Sequence, residues 1–227
     1  YQALGSVIRE LNAPRVAAFT ATATAAVRED ITRSLGMTDP MVLVNGFMRD
    51  NLHLGVMPVR RMAEKREHMV TMLRSLEGSA VVYCATRRHC EEVAHGLRGH
   101  GIDAEAYHAG LEDTLRDAVQ ERFLRGTTPV IVATNAFGMG IDKPDIRVVI
   151  HYDLPGSVEA YYQEVGRAGR DGQRSRCVLL FTYADTRIHE FFISRAGEGL
   201  PADQQAKVVA RERDKLRSMV DYAYETT

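Results

Sequence analysis

Uninterrupted apolar runs, each followed by a segment with helical spacing, constrain the fold of this chain more than any other feature. The runs are "SAVVYCA", "PVIVAT", "RVVIHYD" and "RCVLLFT", at residues 79–85, 129–134, 147–153 and 176–182, with a further strand predicted at 103–109. Strands that are apolar on both sides need cover on both faces, which is typical of parallel sheets with helical crossovers. The sequence therefore predicts an α/β fold, a doubly wound parallel sheet.

The segments outside these runs complete the predicted order of elements. Helices are expected at residues 60–76, 87–99, 112–125 and 184–195, and one more begins near Ser157. At the amino end we expect a buried strand at 15–19, a helix at 24–37, and strands or extended connections at 41–46 and 51–59. At the other end, residues 201–227 are predicted to form an exposed charged helix.

Composition excludes several classes of protein. The chain has 227 residues, of which 45% are hydrophobic and 26% are charged, and its net charge is −1. This balance excludes a globally basic nucleic-acid coat, so a nucleic-acid site would be a local patch. No apolar run is long enough to predict a membrane span. The three cysteines are too few for a disulfide framework or a zinc site, so we expect buried or idle thiols in a reducing compartment.

Polar and basic residues follow the predicted strands, at the sheet edge where ligands of open parallel sheets bind. Thr86 can cap the helix that Arg87 begins, and a helix start with free N–H groups suits a phosphate. A solvated surface turn explains the same residues. His108 and Gly110 follow the next strand, where a packed histidine and an ordinary turn are the simpler interpretation.

A glycine-rich segment, "ATNAFGMGIDKPD", follows the third strand. Thr134 and Asn135 offer polar groups there, and Gly138 and Gly140 would let a ligand approach the backbone. Asp142 begins a turn that is fixed by the next two residues. A glycine-rich loop without a ligand is the alternative.

Arg167 and Arg170 stand between glycines in "EVGRAGRDG" and are predicted to project from the last turn of the preceding helix, on one side. Two planar guanidiniums in glycine-rich surroundings suit phosphate oxygens and the arginine-finger role. The alternative is a salt-bridged helix end.

Together these segments resemble one family. The series "AFTATAT", "VVYCATRR", "YHAGL", "VIVATNAFGMGIDKPDIRVVIHYDLP" and "YYQEVGRAGRDG" closely resembles the RecQ family of ATP-dependent DNA helicases, over nearly the whole chain. The "GRAGR" pair alone would indicate only the wider superfamily-two helicases. The resemblance implies two RecA-like domains that clamp ATP between them and hold single-stranded DNA, usually followed by a zinc-binding module and a winged helix.

The resemblance also implies a division of the chain. Residues 1–50 would end the first RecA-like domain, 51–59 would be the interdomain linker, 60–196 the second RecA-like domain, and 197–227 the start of the helical zinc-binding module. The sequence lacks the "GxxxxGK[ST]" phosphate loop and the "DEAH" box, begins without Met and ends on "YAYETT", so we expect a segment of a longer protein. ATP and Mg²⁺ would then be held mainly upstream and Zn²⁺ downstream, and the chain alone would not hydrolyse ATP.

Roles follow by resemblance, residue by residue. Arg170 would be the arginine finger and Arg167 its partner on the same phosphate. The resemblance assigns further residues to ATP, to DNA and to the coupling of the two: Asp142, Gly140, Gln163 and Glu164 on the ATP side; Thr86, Arg87, Thr134, Asn135, His108 and Gly110 on the DNA side; Thr20, Thr22 and Thr24 in the coupling motif.

The implied function is 3′-to-5′ unwinding by a bacterial cytoplasmic or nucleoid monomer in DNA repair and recombination, with single-stranded and duplex DNA as partners and no membrane. Two alternatives stay open: a non-catalytic nucleic-acid-binding module and a superfamily-two RNA helicase.

Overall fold

A computed structural model describes residues 2–12, 15–20, 23–44, 49–138 and 141–226. The chain divides into two compact units, Tyr1–Met48 and Arg49–Thr227. The larger unit contains the sheet and almost all of the predicted site residues, and the smaller unit contains two helices.

The larger unit is built on a six-stranded sheet in which every pairing is parallel. Its strands are β1 (Leu52–Pro58), β2 (Ser79–Tyr83), β3 (Ala104–Tyr107), β4 (Val130–Ala133), β5 (Ile146–His151) and β6 (Ser175–Phe181). Their order across the sheet is β1-β6-β5-β2-β4-β3. The predicted doubly wound parallel sheet is therefore confirmed.

Helices cover both faces of this sheet. They are α3 (Met62–Arg74), α4 (Arg87–Gly99), α5 (Asp113–Arg125), α6 (Val158–Val165), α7 (Thr186–Ser194) and α8 (Ala202–Glu225). Residues of α3 and α4 pack with one set of strand side chains, and residues of α5, α6 and α8 pack with the alternate set. Val81 and Val82 show the alternation, because these neighbours in β2 belong to opposite cores.

Strand β1 forms within residues 51–59, where a strand or an extended connection was expected, so the linker that the resemblance implied there is corrected. Leu52 pairs with Ser175 and Pro58 with Phe181, so the segment forms an edge of the sheet. Leu52 and Val56 pack against the core on one face, and α3 supplies the crossover that a parallel strand requires. The sheet-containing unit therefore begins at Arg49 rather than at residue 60.

The carboxyl-terminal helix also differs from its prediction as an exposed element. Leu216, Met219 and Ala223 of α8 are buried in the core of the sheet face that α6 covers. These positions recur at helical spacing within a charged sequence and give α8 one apolar stripe. The helix is therefore packed on the same sheet and lies in the same compact unit.

The smaller unit contains α1 (Gln2–Glu10) and α2 (Ala25–Ser34). The strand predicted at 15–19 is not formed, and Phe19 is 91% exposed. A strand needs a neighbouring strand for its hydrogen bonds, and the described residues of this unit provide none. Residues 41–44 likewise form no strand, and the rest of the predicted 41–46 segment lies outside the described residues.

Two predictions from composition can be compared with the structure. Cys84, Cys90 and Cys177 are free and buried, as expected. Among the described helices, none is long and apolar enough to span a bilayer.

Candidate functional site

The loops that follow β2, β4 and β3 bring the predicted DNA-side residues to one edge of the sheet. These strands are neighbours in the sheet, and all of them run parallel. Their carboxyl ends therefore lie side by side. The residues gathered there are Thr86, Arg87, Thr134, Asn135, His108 and Gly110.

Thr86 and Arg87 form the start of α4 as predicted. The Thr86 hydroxyl accepts a hydrogen bond from the His89 N–H at 3.1 Å and caps the helix. Arg87 is exposed, and a Cβ placed on Gly110 would lie 3.0 Å from its Nη1 atom. Gly110 therefore makes room for the Arg87 side chain, which connects two loops of this edge.

The other polar residues of the edge differ in exposure. His108 is only 3% exposed, and its Nδ1 accepts from the Gly110 N–H at 3.2 Å. Its Nε2 then carries the proton and lies 3.2 Å from Glu91 Oε1, outside hydrogen-bond geometry. Thr134 is half-buried, and Asn135 is exposed. The structure thus favours the packed-histidine interpretation of His108 and leaves Arg87 and Asn135 open to a ligand.

Arg167 and Arg170 follow α6 rather than project from its last turn. The helix ends at Val165, and the chain continues in turns closed by the Arg167 N–H to Glu164 and the Ala168 N–H to Val165. The Gly169 N–H then donates to the carbonyl of Ile146, the first residue of β5. The main chain of this segment therefore reaches the amino end of β5, while the Arg167 side chain extends to the loop that follows β4.

Arg167 rests on the loop between β4 and β5. Its Nη1 donates to the Gly138 carbonyl, and a Cβ on Gly138 would overlap the guanidinium. Its Nε is buried without a hydrogen-bond partner. Gly138 was predicted to admit a ligand to the backbone, whereas the structure shows that its missing side chain admits Arg167.

Arg170 is more exposed to solvent than Arg167. Its Nη1 lies 2.8 Å from Asp142 Oδ1 and 3.1 Å from the Ile141 carbonyl. The side chain of Arg170 is 36% exposed, and that of Asp142 is 84% exposed. An exposed ion pair of this kind contributes little stability, so a stronger anion can displace the carboxylate.

The glycines of this segment support the turn. Gly169 has a φ of +54°, and a Cβ there would lie 2.5 Å from Asn51 Nδ2. Asn51 also donates to the Gly169 carbonyl at 2.8 Å, and Arg49 donates to the Gly166 carbonyl at 3.3 Å. The glycine-rich surroundings were predicted to suit a phosphate, but Gly169 instead allows close packing against Asn51, just before β1.

His151 and Tyr83 belong to the same region and were missed from the sequence. His151 is fully buried at the end of β5, and its Nε2 lies 2.9 Å from Glu164 Oε2. The Tyr83 ring stacks on it at 5.4 Å, and the Tyr83 hydroxyl donates to the Phe137 carbonyl at 3.2 Å. Burial raises the pKa of Tyr83, and the nearby Arg167 guanidinium opposes that rise. Only their positions at strand ends could have drawn attention to them.

An open cavity of about 320 Å³ adjoins these residues at the carboxyl edge. Its lining includes Tyr83, Asn135, His151, Asp153, Glu164 and Lys215. Gln163, by contrast, is exposed on α6. Of the predicted ATP-side residues, Glu164 thus faces the cavity, and Asp142 lies with Arg170.

Asp153 and His89 form a partly buried pair below the start of α4, with 2.8 Å between Oδ2 and Nδ1. Burial by itself would raise the pKa of Asp153, but hydrogen bonds from His89 and the Ala85 N–H lower it below its ordinary value. The hydrogen bond to Asp153 raises the pKa of His89, against burial and the nearby Lys65, while Glu92 adds to the rise.

This pair predicts a pH-dependent contribution to stability. The Asp153 contribution is present above its ordinary pKa of 3.8 and is lost as pH falls through the lowered value. The His89 contribution is present below 6.5 and is lost as pH rises through the raised value. His89→Ala should therefore lower the melting temperature more at about pH 5.5 than at about pH 8.5. Equal losses at both pH values in thermal unfolding of the chain would contradict the ion pair.

The remaining predicted residues are less informative. Thr24 caps α2 by accepting from the Val27 N–H at 3.4 Å, and Thr20 is exposed in the same unit. Thr22 and Gly140 lie outside the described residues. Across the described part of the chain, no three His, Cys, Asp or Glu side chains gather in a way that could hold a metal ion.

Sequence comparison identifies the family. Residues 64–172 match the helicase conserved C-terminal domain. The chain is 44% identical over 226 residues to the RecQ-like DNA helicase BLM of Xenopus laevis, covering 98% of this chain and 16% of that protein. It is 40% identical over 227 residues to the ATP-dependent DNA helicase RecQ of Bacillus subtilis, covering 99% of this chain and 36% of that protein. The chain belongs to the RecQ family.

Other comparisons agree with this assignment to the RecQ family. The RecQ-like DNA helicase blm-1 of Caenorhabditis elegans is 46% identical over 173 residues, covering 75% of this chain and 17% of that protein. The chain thus spans well under half the length of these relatives. Yeast Dbp5 bound to RNA and ADP–beryllium fluoride superposes with a TM-score of 0.64 at 22% identity, over 87% of this chain and 54% of that one. That likeness shows the RecA-like fold.

Proposed function

We propose that this RecQ-family chain supplies one side of the ATP cleft of a DNA helicase and part of its track for single-stranded DNA. The observation that carries the proposal is the half-exposed Arg170 guanidinium, which is paired with an exposed aspartate and lies near the partly buried Arg167. Residues 49–227 would form the second RecA-like domain, and residues 1–48 would end the first.

Arg170 is the residue proposed to reach the transferred phosphoryl group. A guanidinium stabilises the charge that spreads over the phosphoryl oxygens in the transition state. Its ion pair with Asp142 is exposed, so a triphosphate can replace the carboxylate. Asp142 would then be released toward the ribose hydroxyls, and Gln163, Glu164 and Gly140 would complete the ATP side.

Arg167 has a different proposed role. Its guanidinium is fixed on the Gly138 carbonyl and carries a second positive charge next to that of Arg170. It would raise the positive potential that attracts the phosphate and keep the turn after α6 in place.

ATP and Mg²⁺ fit this site only in part. The two arginines suit a triphosphate, but the sequence contains neither a phosphate loop nor a "DEAH" box. We therefore propose that a preceding domain holds the nucleotide and its Mg²⁺, which supplies Lewis-acid stabilisation there. A zinc module would likewise come from sequence beyond this chain.

The carboxyl edge is the proposed DNA side. Arg87, Asn135, Thr86 and Thr134 offer donors to backbone phosphates, which gives binding without sequence preference. Gly110 would shape the position of Arg87, and the buried His108 would support the Gly110 turn. Thr20, Thr22 and Thr24 would link the ATP state to the DNA.

Alternating closure of the cleft explains movement along DNA. With ATP bound, Arg170 binds phosphate and the cleft closes; after hydrolysis and release this attraction is lost and the cleft opens. Each cycle shifts the grip along one strand, in the 3′-to-5′ direction proposed for this family. We propose that the protein works as a monomer in the cytoplasm, on single-stranded and duplex DNA during repair and recombination.

The proposal is tested by restoring the absent domain. A RecQ chimera, in which this chain replaces the matching 36% of the Bacillus subtilis RecQ protein, should hydrolyse ATP when single-stranded DNA is added. The 227-residue chain alone should show no DNA-stimulated hydrolysis, because it has no phosphate loop. A phosphate-release assay measures both.

Either of two results would defeat the proposal. One is robust turnover by the chain alone. The other is a folded chimera that binds ATP and DNA without hydrolysis, which would favour a non-catalytic binding module. Equal stimulation by RNA and DNA would favour the RNA helicase alternative.

A further inference from the structure

Tyr83 occupies a position between the two parts of the proposed site. It is the last residue of β2 and is only 3% exposed. Along the main chain, it stands three residues before Thr86, the cap of α4 on the proposed DNA side. Its side chain extends instead toward the Phe137 carbonyl in the loop after β4 and toward His151, which pairs with Glu164 of α6.

The Tyr83 hydroxyl is the first link to Arg167. It donates to the Phe137 carbonyl at 3.2 Å, and the next residue, Gly138, provides the carbonyl that accepts from Arg167. Phe137 and Gly138 are both buried, so the hydroxyl bond fixes a short piece of backbone on which the guanidinium rests.

The Tyr83 ring is a second, separate link. It stacks on His151 with an interplanar angle of 21°, and His151 pairs with Glu164 at 2.9 Å. The Glu164 carbonyl accepts from the Arg167 N–H at 3.3 Å. The side chain therefore supports Arg167 from both the loop side and the helix side.

We propose that Tyr83 is a positioning residue that holds the Arg167 guanidinium on the loop after β4 and so links the proposed DNA edge to the arginine pair. The effect of this link on catalysis rests on the proposed function. The positioning of Arg167 by Tyr83 is independent of that function. Displacement of the Thr86 segment by DNA would move Tyr83 at the end of the same strand. The arginine would respond through the Phe137 and Gly138 backbone.

The first measurement needs no ATPase activity. Arginine Nε–H signals of the 227-residue chain are followed by ¹⁵N NMR, and the Arg167 signal is assigned by its loss in Arg167→Lys. The buried Nε–H should exchange slowly with water. Tyr83→Phe removes only the hydroxyl and should speed this exchange about fivefold, the effect of losing one hydrogen bond.

Tyr107→Phe is the matched control. Tyr107 also ends a strand at this edge and is 8% exposed, but its hydroxyl donates to Gln120 at 3.1 Å. This variant should leave the Arg167 exchange rate unchanged. An unchanged rate in Tyr83→Phe, or an equal rise in both variants, would overturn the positioning role.

The second measurement uses the RecQ chimera. Tyr83→Phe should lower the DNA-stimulated kcat about fivefold, while the KM for ATP stays unchanged. In the Arg167→Lys background the same substitution should have no further effect, because the two residues act through one contact. An equal loss in both backgrounds would show that Tyr83 acts elsewhere. A chimera without any ATPase would count against the proposed function, and the exchange rates would still decide the role of Tyr83.

Discussion

Arg170→Ala should lower the DNA-stimulated ATPase rate of the RecQ chimera on the order of 10³-fold. The guanidinium is the group proposed to meet the transferred phosphoryl, and alanine leaves the charge of the transition state without its donor. The effect should fall on kcat, with little change in DNA affinity, because Arg170 contacts Asp142 and the Ile141 carbonyl rather than the proposed DNA-side residues. Steady-state phosphate release and fluorescence anisotropy with labelled single-stranded DNA measure the two quantities.

Arg174→Ala provides the matched control for charge. Arg174 is an exposed arginine four positions further along, beyond the turn that carries the pair. Its loss should change the ATPase rate by less than about twofold, which is typical of a surface substitution. Near-normal hydrolysis by Arg170→Ala, or an equal loss in both variants, would count against the finger role.

Lys65→Met should lower the free energy of unfolding of the chain by about 3–5 kcal/mol, because it leaves a buried carboxylate without its partner. Lys65 is fully buried, and its Nζ lies 2.7 Å from Asp185 Oδ2 and 2.5 Å from the Tyr152 carbonyl. Burial already raises the pKa of Asp185. Without the lysine, Asp185 takes up a proton more readily, so the loss of stability should be smaller at low pH.

Urea unfolding at several pH values tests this prediction. Lys207→Met, on the exposed side of α8, should change stability by less than about 0.5 kcal/mol. The double variant with Asp185→Leu should recover much of the loss, because well-packed apolar residues can replace a buried ion pair. A single-variant loss near that of Lys207→Met would show that the buried pair contributes little.

The sheet could be predicted because its central strands are apolar on both faces. The predicted runs at 79–85, 129–134, 147–153 and 176–182 each contain most or all of an observed strand. For residues 51–59 the sequence left a strand and an extended connection open, and the resemblance implied a linker, because "LHLGVMP" includes a glycine and a proline and is not continuously apolar. Proline is tolerated at such an edge, and only the pairing with β6 reveals the strand.

Candidate site residues could be chosen from the sequence, but their arrangement could not. Flanking glycines marked Arg167 and Arg170 as candidates, and positions after predicted strands marked Arg87 and Asn135. The hydrogen bond from Arg167 to the Gly138 carbonyl joins residues that are far apart in the sequence, so it depends on the tertiary fold. No local pattern separates a glycine that admits a ligand from one that admits a neighbouring side chain.

Binding of a transition-state mimic to the RecQ chimera tests the central claim most directly, namely that this chain presents a guanidinium to a phosphoryl group held by another domain. Isothermal titration in the presence of Mg²⁺ and single-stranded DNA would compare ADP–aluminium fluoride with a non-hydrolysable ATP analogue. Arg170→Ala should weaken binding of the mimic by about 10²-fold or more and change binding of the ATP analogue by only a few fold, because the contact forms mainly in the transition state. Equal affinities of the wild-type and Arg170→Ala chimeras for the mimic would contradict the account.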